Sequence, residues 1–396
     1  MQELIMTQNE SSLERIAGAN PELEIWWDSS PLIFSSWAEQ WLAGQTPDRA
    51  AQLARFFEGP VQQRVICGVT TNPPLCKQVL EAAPQEWRDY VRQLAAAQPE
   101  ALVYDIFWNT YKEIVRRGAQ KIIEVFEASK YKRGFISGQV DPCKLHDTAA
   151  MVAQGCELRQ ASPNIMIKLP GTKEGIEGIR QLTALGIATN ATLTFTVSQL
   201  VAVAEAVRAG LEEARRNGVD LSQWRSCGTH MLGRFEDAGE FRRQAEARSI
   251  ALSETDLRWA GIAVFNKILR LFKARGYLTK PLAASMRIGP TLDGRKHIWH
   301  IERLCHKPVV LTIFPNIIEA FLEAGDAAMP DDVGDSDAPK EVLDKLLRIP
   351  YFVQAYEEEG ITSEEFATYP ATIETATQFA QATREMIAWV EGSLEN

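Results

Sequence analysis

Eight short apolar runs alternate with stretches whose apolar residues recur at helical spacing, and that alternation constrains the fold more than any other feature. The strand-like runs are Leu23–Asp28, Arg64–Asn72, Arg133–Val140, the two ends of Asn164–Phe195, Trp224–Leu232, Lys280–Arg287 and Lys307–Pro315. Between them the spacing predicts helices over Trp37–Phe57, Pro84–Lys130, His146–Arg159, Val197–Asn217 and Asp237–Ala274. Strand and helix in strict alternation over so long a span predict an α/β fold, a single (β/α)8 TIM-type barrel with extra helices. No glycine-rich dinucleotide fingerprint follows any strand, which weighs against a doubly wound open sheet. The 396 residues are read as one domain with its core over about 22–326. Residues 1–21 are expected to form a short leading helix or arm. Residues 325–340 read as an acidic, proline-bearing connection to a C-terminal helical extension over about 339–396. In its last helix Ile373, Ala376, Phe379, Met386, Ile387 and Val390 are expected on one face that packs on the barrel.

Composition enters as a set of exclusions. A 45% hydrophobic content and 24% charged content suit a chain with a large core. The formal net charge of −10 argues against a nucleic-acid partner, so an anionic substrate would need its own local arginines. No apolar run approaches a membrane span, and MQELIMTQNESS has no signal-peptide core. The six cysteines form no C-x-x-C pair and no zinc-like spacing, so reduced thiols and a cytoplasmic protein are expected.

In a parallel barrel the chemistry sits at the carboxyl ends of the strands. Polar residues occupy these ends almost throughout: Asp28, Asn72, Gln139, Lys168, Asn190 with Thr192, Thr229 with Arg234 beyond it, and Ser285 with Arg287. Lys168 is flanked by Ile165, Met166, Ile167, Leu169 and Pro170. Burial there disfavours the ammonium form, which gives an amine able to attack a carbonyl near neutral pH. The bland alternative is a lysine at a strand end that reaches water. A lone strand-end polar residue is usually just solvated, but a set with an amine, a carboxylate, amides and two arginines fits Schiff-base aldol cleavage. His230 alternates with Thr229 and Met231 and reads as a satisfied core histidine. His297, His300 and His306 complete no metal pattern and read as loop and surface residues. Glu174 and Glu177 read as the solvated side of a helix that buries Ile176, Ile179 and Leu182.

GVTTNPPL at Gly68–Leu75 and NIMIKLPGTKEGIEGIRQL…GIATNATLTFTVSQ at Asn164–Gln199 resemble the two signature regions of the transaldolase family. WWDSS around Asp28, SGQVDP around Gln139, THMLGR at Thr229–Arg234 and ASMR at Ala284–Arg287 resemble its other active-site segments, in the same order. The likeness runs from about Glu24 to Phe321, and the length resembles the longer bacterial members. The resemblance implies that Lys168 forms a Schiff base with the C2 carbonyl of a ketose phosphate. Asp28 would deprotonate the C4 hydroxyl so that the C3–C4 bond breaks. Asn72 and Asn190 match residues that hold the hydroxyls of the three-carbon unit, Thr192 one that positions the catalytic water, and Arg234 and Arg287 the phosphate-binding pair. Forked guanidinium donors suit that anion.

Three positions depart from the family pattern. The strand-three glutamate is Gln139, as in fructose-6-phosphate aldolases. An amide can hold a water but cannot take up and return a proton. Met231 stands where transaldolases have phenylalanine and those aldolases tyrosine, and Thr229 replaces a serine. The leading expectation is a transaldolase moving a dihydroxyacetone unit between sugar phosphates. The alternatives are an aldolase-like or specialised three-carbon transferase with an unusual acceptor, and a non-catalytic sugar-phosphate-binding barrel. Small-molecule sugar phosphates are the expected partners, with no nucleic acid, membrane, cofactor or metal, because the lysine itself supplies the electron sink. Homo-oligomerisation is left open.

Overall fold

The computed structural model describes residues 10–325 and 337–395. Eight parallel strands close into a barrel: β1 (Glu24–Trp27), β2 (Ile66–Thr70), β3 (Phe135–Gln139), β4 (Ile165–Pro170), β5 (Thr189–Thr194), β6 (Ser226–Met231), β7 (Lys280–Ala284) and β8 (Val310–Ile313). Each strand pairs with its sequence neighbour, and β8 returns to β1 through Glu24↔Val310 to Trp27↔Ile313. The (β/α)8 reading of the sequence is therefore the observed fold.

Nearly every strand residue is buried, because one face lies against the helices and the other inside the barrel. On β1 the alternation sends Ile25 and Trp27 to one face and Glu24, Trp26 and Asp28 to the other. Trp27 packs edge-on against Phe34, Trp37 and Phe57 of the surrounding helices. Trp26 is fully buried and donates from Nε1 to Glu24 Oε2 (3.1 Å). Gly68 makes room for it: a Cβ there would sit 2.1 Å from the Trp26 ring. The barrel is thus a packed core rather than a pore, with polar groups confined to its two ends.

Helix starts follow local chemistry. Asn72 caps the helix Pro73–Ala82 by accepting from Leu75 N–H (3.0 Å), with Pro73 in the first turn where its missing N–H costs nothing. Thr196 and Gln199 form a capping box on Val197–Arg216. The expected helix over Trp37–Phe57 is two helices, Phe34–Leu42 and Pro47–Phe57, split at Gly44 (φ +96°) and Pro47. The expected long helix over Pro84–Lys130 is three, Pro84–Ala97, Val103–Gln120 and Ile123–Ala128.

The C-terminal helices lie against the barrel. Tyr351 donates to Phe235 O (2.9 Å), and Tyr369 donates to Tyr351 O (2.9 Å). The last helix, Pro370–Glu395, packs on Pro73–Ala82, Pro84–Ala97 and Val103–Gln120. Its inward face carries Thr372, Thr375, Phe379, Ala382, Met386 and Val390. Ile373, expected on that face, is instead 50% exposed, because the helix is turned to bring the small threonines against its neighbours. The expected leading helix is Ser12–Ala19, and most of the acidic connection lies outside the described residues.

Candidate active site

Asp28, Asn72, Lys168, Thr229, Met231, Arg234 and Ser285 line one cavity at the carboxyl end of the barrel, together with Thr70, Ala284, Thr312 and Phe314. Asn190, Gln139, Thr192 and Arg287 are not on its wall but adjoin it. Asn190 stands level with Lys168 on the neighbouring strand, accepts from Thr229 Oγ1 (2.7 Å) and donates to Ser137 Oγ (3.0 Å). Gln139 stands level with Lys168 on the other side. Thr192 donates to Met231 Sδ at 3.8 Å.

Lys168 is 4% exposed, and its ammonium donates to the carbonyl of Thr71 (3.0 Å). Burial pulls its pKa down to about 8, against the opposing pull of Asp28. Asp28 is equally buried, and burial pushes its carboxyl up even though Lys168 and a 2.8 Å hydrogen bond from Thr70 favour the carboxylate. Thr70 also shares a short hydroxyl contact with Thr312. Since Thr70 gives its proton to Asp28, Thr312 must donate to Thr70. Each partner of the Lys168–Asp28 pair is thus driven toward its neutral form, and the hydrogen bond each makes goes elsewhere, Lys168 donating to Thr71 O and Asp28 accepting from Thr70.

The two arginines arrive from different elements. Arg234 lies on the short helix Leu232–Asp237, stacks over the Phe379 ring (5.3 Å) and donates to Gln378 Oε1 (2.5 Å) on the last helix. Burial and the neighbouring Arg287 pull its pKa down. β7 ends at Ala284, and Ser285 takes a left-handed φ of +60°, so Arg287 lies beyond the strand and not at its end as the run Lys280–Arg287 implied. Its guanidinium bends back to Ser285 O (3.0 Å) and Ser285 Oγ (3.2 Å) and forms an ion pair with Asp237 (2.7 Å).

An amine kept near neutrality, a carboxyl beside it, hydroxyl and amide donors around both, and two guanidiniums at the rim can bind a polar anion and form an imine. The sequence model of the Transaldolase/Fructose-6-phosphate aldolase family matches residues 55–387. The chain belongs to this family. It is 30% identical to Transaldolase 2 of Streptomyces avermitilis over 318 residues, covering 76% of this chain and 84% of the relative. It is 28% identical to a transaldolase of Mycolicibacterium smegmatis over 320 residues, with the same two coverages of 76% and 84%. A shorter match, 35% over 183 residues, reaches Transaldolase 1 of Streptomyces coelicolor and covers 44% of this chain and 46% of that protein.

Within this transaldolase-family barrel, several site residues escaped the sequence reading. Thr70 and Ser137 were legible in principle: Ser137 lies two residues before Gln139 on β3, and Thr70 is the polar last residue of β2. Thr312 is the polar residue of β8, the one strand whose end carries no candidate in the sequence. Gln378 gives no local signal at all. Two histidine expectations need correction. His230 is in the core, between Phe235 and Phe265, but neither ring nitrogen has a hydrogen-bond partner among the described residues, so it is not satisfied. Burial drives it to the neutral form, with a pKa of about 3. His300, expected at the surface, is 0% exposed because a short helix, Trp299–Glu302, folds it under the loop that carries Arg287.

Proposed function

We propose that the protein is a Schiff-base transaldolase that moves a dihydroxyacetone unit from a ketose phosphate to an aldose phosphate. The observation that carries the reading is a buried Lys168 with a pKa of about 8 on the wall of the same cavity as Asp28. In this reading the Lys168 amine attacks the C2 carbonyl, and water leaves to give the iminium. Asp28, held at one oxygen by Thr70, takes the C4 hydroxyl proton with the other. The C3–C4 bond breaks, its electrons pass into the iminium, and the aldose leaves. The enamine on Lys168 then adds to the second aldehyde, whose oxygen takes the proton back from Asp28, and water hydrolyses the resulting iminium to free the new ketose and the lysine. Asn72, Asn190 and Thr229 hold the hydroxyls of the three-carbon unit, while Met231 supplies an apolar wall. Arg234, Arg287 and Ser285 take the phosphate. Sugar phosphates in the cytoplasm are the partners this chemistry requires, and the C-terminal helices belong to the catalytic unit because Gln378 and Phe379 brace Arg234.

Gln139 favours a second reading. Its Oε1 is buried without a hydrogen-bond partner among the described residues, one strand from Lys168. An amide oxygen there can accept from a water, helped by Thr192, but cannot exchange protons with it. A glutamine at this position suits an aldolase that releases free dihydroxyacetone, as in the fructose-6-phosphate aldolase branch of the family.

One experiment tests both. The protein is incubated with fructose 6-phosphate, reduced with borohydride and weighed. A three-carbon adduct on Lys168 is expected. A six-carbon adduct alone means binding without cleavage, and no adduct removes the imine reading for that donor. Free dihydroxyacetone accumulating without an acceptor selects the aldolase.

A further inference from the structure

The loop that carries Arg287 has left the sheet: β7 ends three residues earlier, and Ser285 takes a left-handed turn. What holds the Arg287 backbone is a side chain. Its N–H donates to His300 Nδ1 (3.1 Å), and His300 Nε2 lies 2.7 Å from Glu236 Oε1. A backbone N–H can only donate, so Nδ1 is the bare nitrogen, and Nε2 carries the hydrogen and gives it to Glu236. Glu236 is 0% exposed, and its other oxygen is ion-paired to Arg258, itself 6% exposed. An uncompensated carboxylate at that depth would be costly, and the two partners compensate it.

The surroundings are shaped for this arrangement. A Cβ on Gly261 would meet Glu236 Oε1 at 2.2 Å, so the helix Glu254–Arg275 leaves a notch for the carboxylate. A Cβ on Gly233 would meet Ser285 O at 2.2 Å, so the helix carrying Arg234 leaves a notch for the Arg287 loop. Glu236 also sits two residues after Arg234 on one helix. The bonds Glu236–His300–Arg287 therefore tie together the two segments that bring the arginines to the cavity.

We propose that His300, oriented by Glu236, is a positioning residue that fixes Arg287 relative to Arg234 and thereby sets the preference of the site for phosphorylated substrates. The inference rests on Arg287 being a phosphate ligand, as read above. His300 touches no substrate; it acts through the Arg287 backbone.

Two amide variants separate the two halves of the imidazole. His300→Asn places an acceptor near the Nδ1 position and gives up the Glu236 bond. His300→Gln places a donor near Nε2 and gives up the acceptor for Arg287. The readout is KM for glyceraldehyde 3-phosphate against KM for unphosphorylated glyceraldehyde as acceptors, with Arg287→Ala alongside. His300→Gln is expected to raise KM for the phosphorylated aldehyde about tenfold, the cost of one lost positioning hydrogen bond, and to leave the unphosphorylated KM and kcat in place. His300→Asn is expected to stay within about threefold of the parent. If Arg287→Ala loses the phosphate preference and His300→Gln keeps it, the positioning role is wrong. If Arg287→Ala also keeps it, the phosphate reading itself fails and the inference with it. Should His300→Gln not fold, the parent protein carries the test. In 15N-histidine-labelled protein the His300 Nδ1 resonance should be that of a bare ring nitrogen and should move on saturation with inorganic phosphate. A resonance that does not move overturns the proposal.

Discussion

Each end of the barrel sets a lysine near a buried carboxylate, and the two pairs behave in opposite ways. At the amino end Glu24 accepts from Lys280 (2.8 Å) and Arg225 (2.6 Å) through one oxygen and from Trp26 through the other. Burial would raise its pKa, but the two cations overcome it and hold the carboxyl at about 2. At the carboxyl end Lys168 and Asp28 have no such direct bond. Burial wins there, and both move toward their neutral forms. Both carboxylates are buried, so burial alone does not set which form a carboxyl takes; of the lysines, Lys168 is 4% exposed and the Lys280 side chain 24%. The difference is whether every charge-bearing atom has a close partner: a fully partnered cluster is inert, and a buried pair left apart is poised.

The largest break in this symmetry is chemical. Lys168→Met should remove the borohydride-trapped adduct and lower turnover on the order of a thousandfold or more, the scale for losing a covalent nucleophile. Lys280→Met should leave kcat within about twofold, since Lys280 is at the far end of its strand. Steady-state assays on the two variants check this, and comparable losses would mean that position along the barrel does not separate the roles.

The next effect is on stability and falls on the other end. Glu24→Gln leaves the half-buried Arg225 and Lys280 with only a neutral amide, and should cost roughly 3 kcal/mol, the low end for a broken buried pair, in urea denaturation. The parent should show the matching pH dependence. With Glu24 at about 2 in the folded chain and 4.5 as its ordinary value, the unfolded state binds the proton first as pH falls. That contribution, about 3 kcal/mol, is fully present above pH 4.5 and is lost as pH falls toward 2. Glu24→Gln should flatten this part of the curve. An unchanged acid limb would mean the cluster contributes nothing net.

Lys168 carries the reverse sign. Its folded pKa of about 8 lies below the ordinary 10.5, so its burial penalty is fully present below pH 8 and is relieved as pH rises from 8 to 10.5. Lys168→Met should therefore stabilise the protein by about 1–3 kcal/mol at pH 7, with the gain shrinking above pH 8. Lys280→Met should destabilise it by a similar amount. Activity and stability would then move in opposite directions at one end of the barrel, and a drop in stability for Lys168→Met would undo the contrast.

The sequence made one end legible and hid the other. Lys168 stood out because an amine in an apolar strand violates the local pattern, and position at the strand ends put Asp28, Asn190 and Thr229 around it. Glu24 and Lys280 violate the pattern just as much, but they sit at strand starts, where a charged residue usually reaches solvent. Only closure of β8 onto β1 brings Arg225, Lys280 and Glu24 within bonding distance. His300 was hidden for a similar reason: its burial depends on the fold of the loop after Arg287, which no periodicity reports. The barrel itself was readable because eight alternations leave few other closed arrangements. Ile373 misled because a helical face drawn from hydrophobic residues alone ignores small threonines that pack more closely.

The smallest expected effect lies at Gln139, the buried amide with an unpartnered oxygen beside Lys168. Gln139→Glu brings a second carboxylate to the poised end and makes it more like the partnered one. Two consequences oppose each other. A group able to exchange protons with the reacting water should speed imine formation and release, by roughly tenfold at the low end of general acid–base effects. A nearby negative charge also favours the ammonium, so Lys168 should titrate higher and the rising limb of the pH–rate profile should move up from about 8. Single-turnover adduct formation followed across pH separates the two, since the first changes the plateau and the second the midpoint. If neither moves, Gln139 does not face the reacting water, and the poise of Lys168 owes nothing to its neighbour on β3.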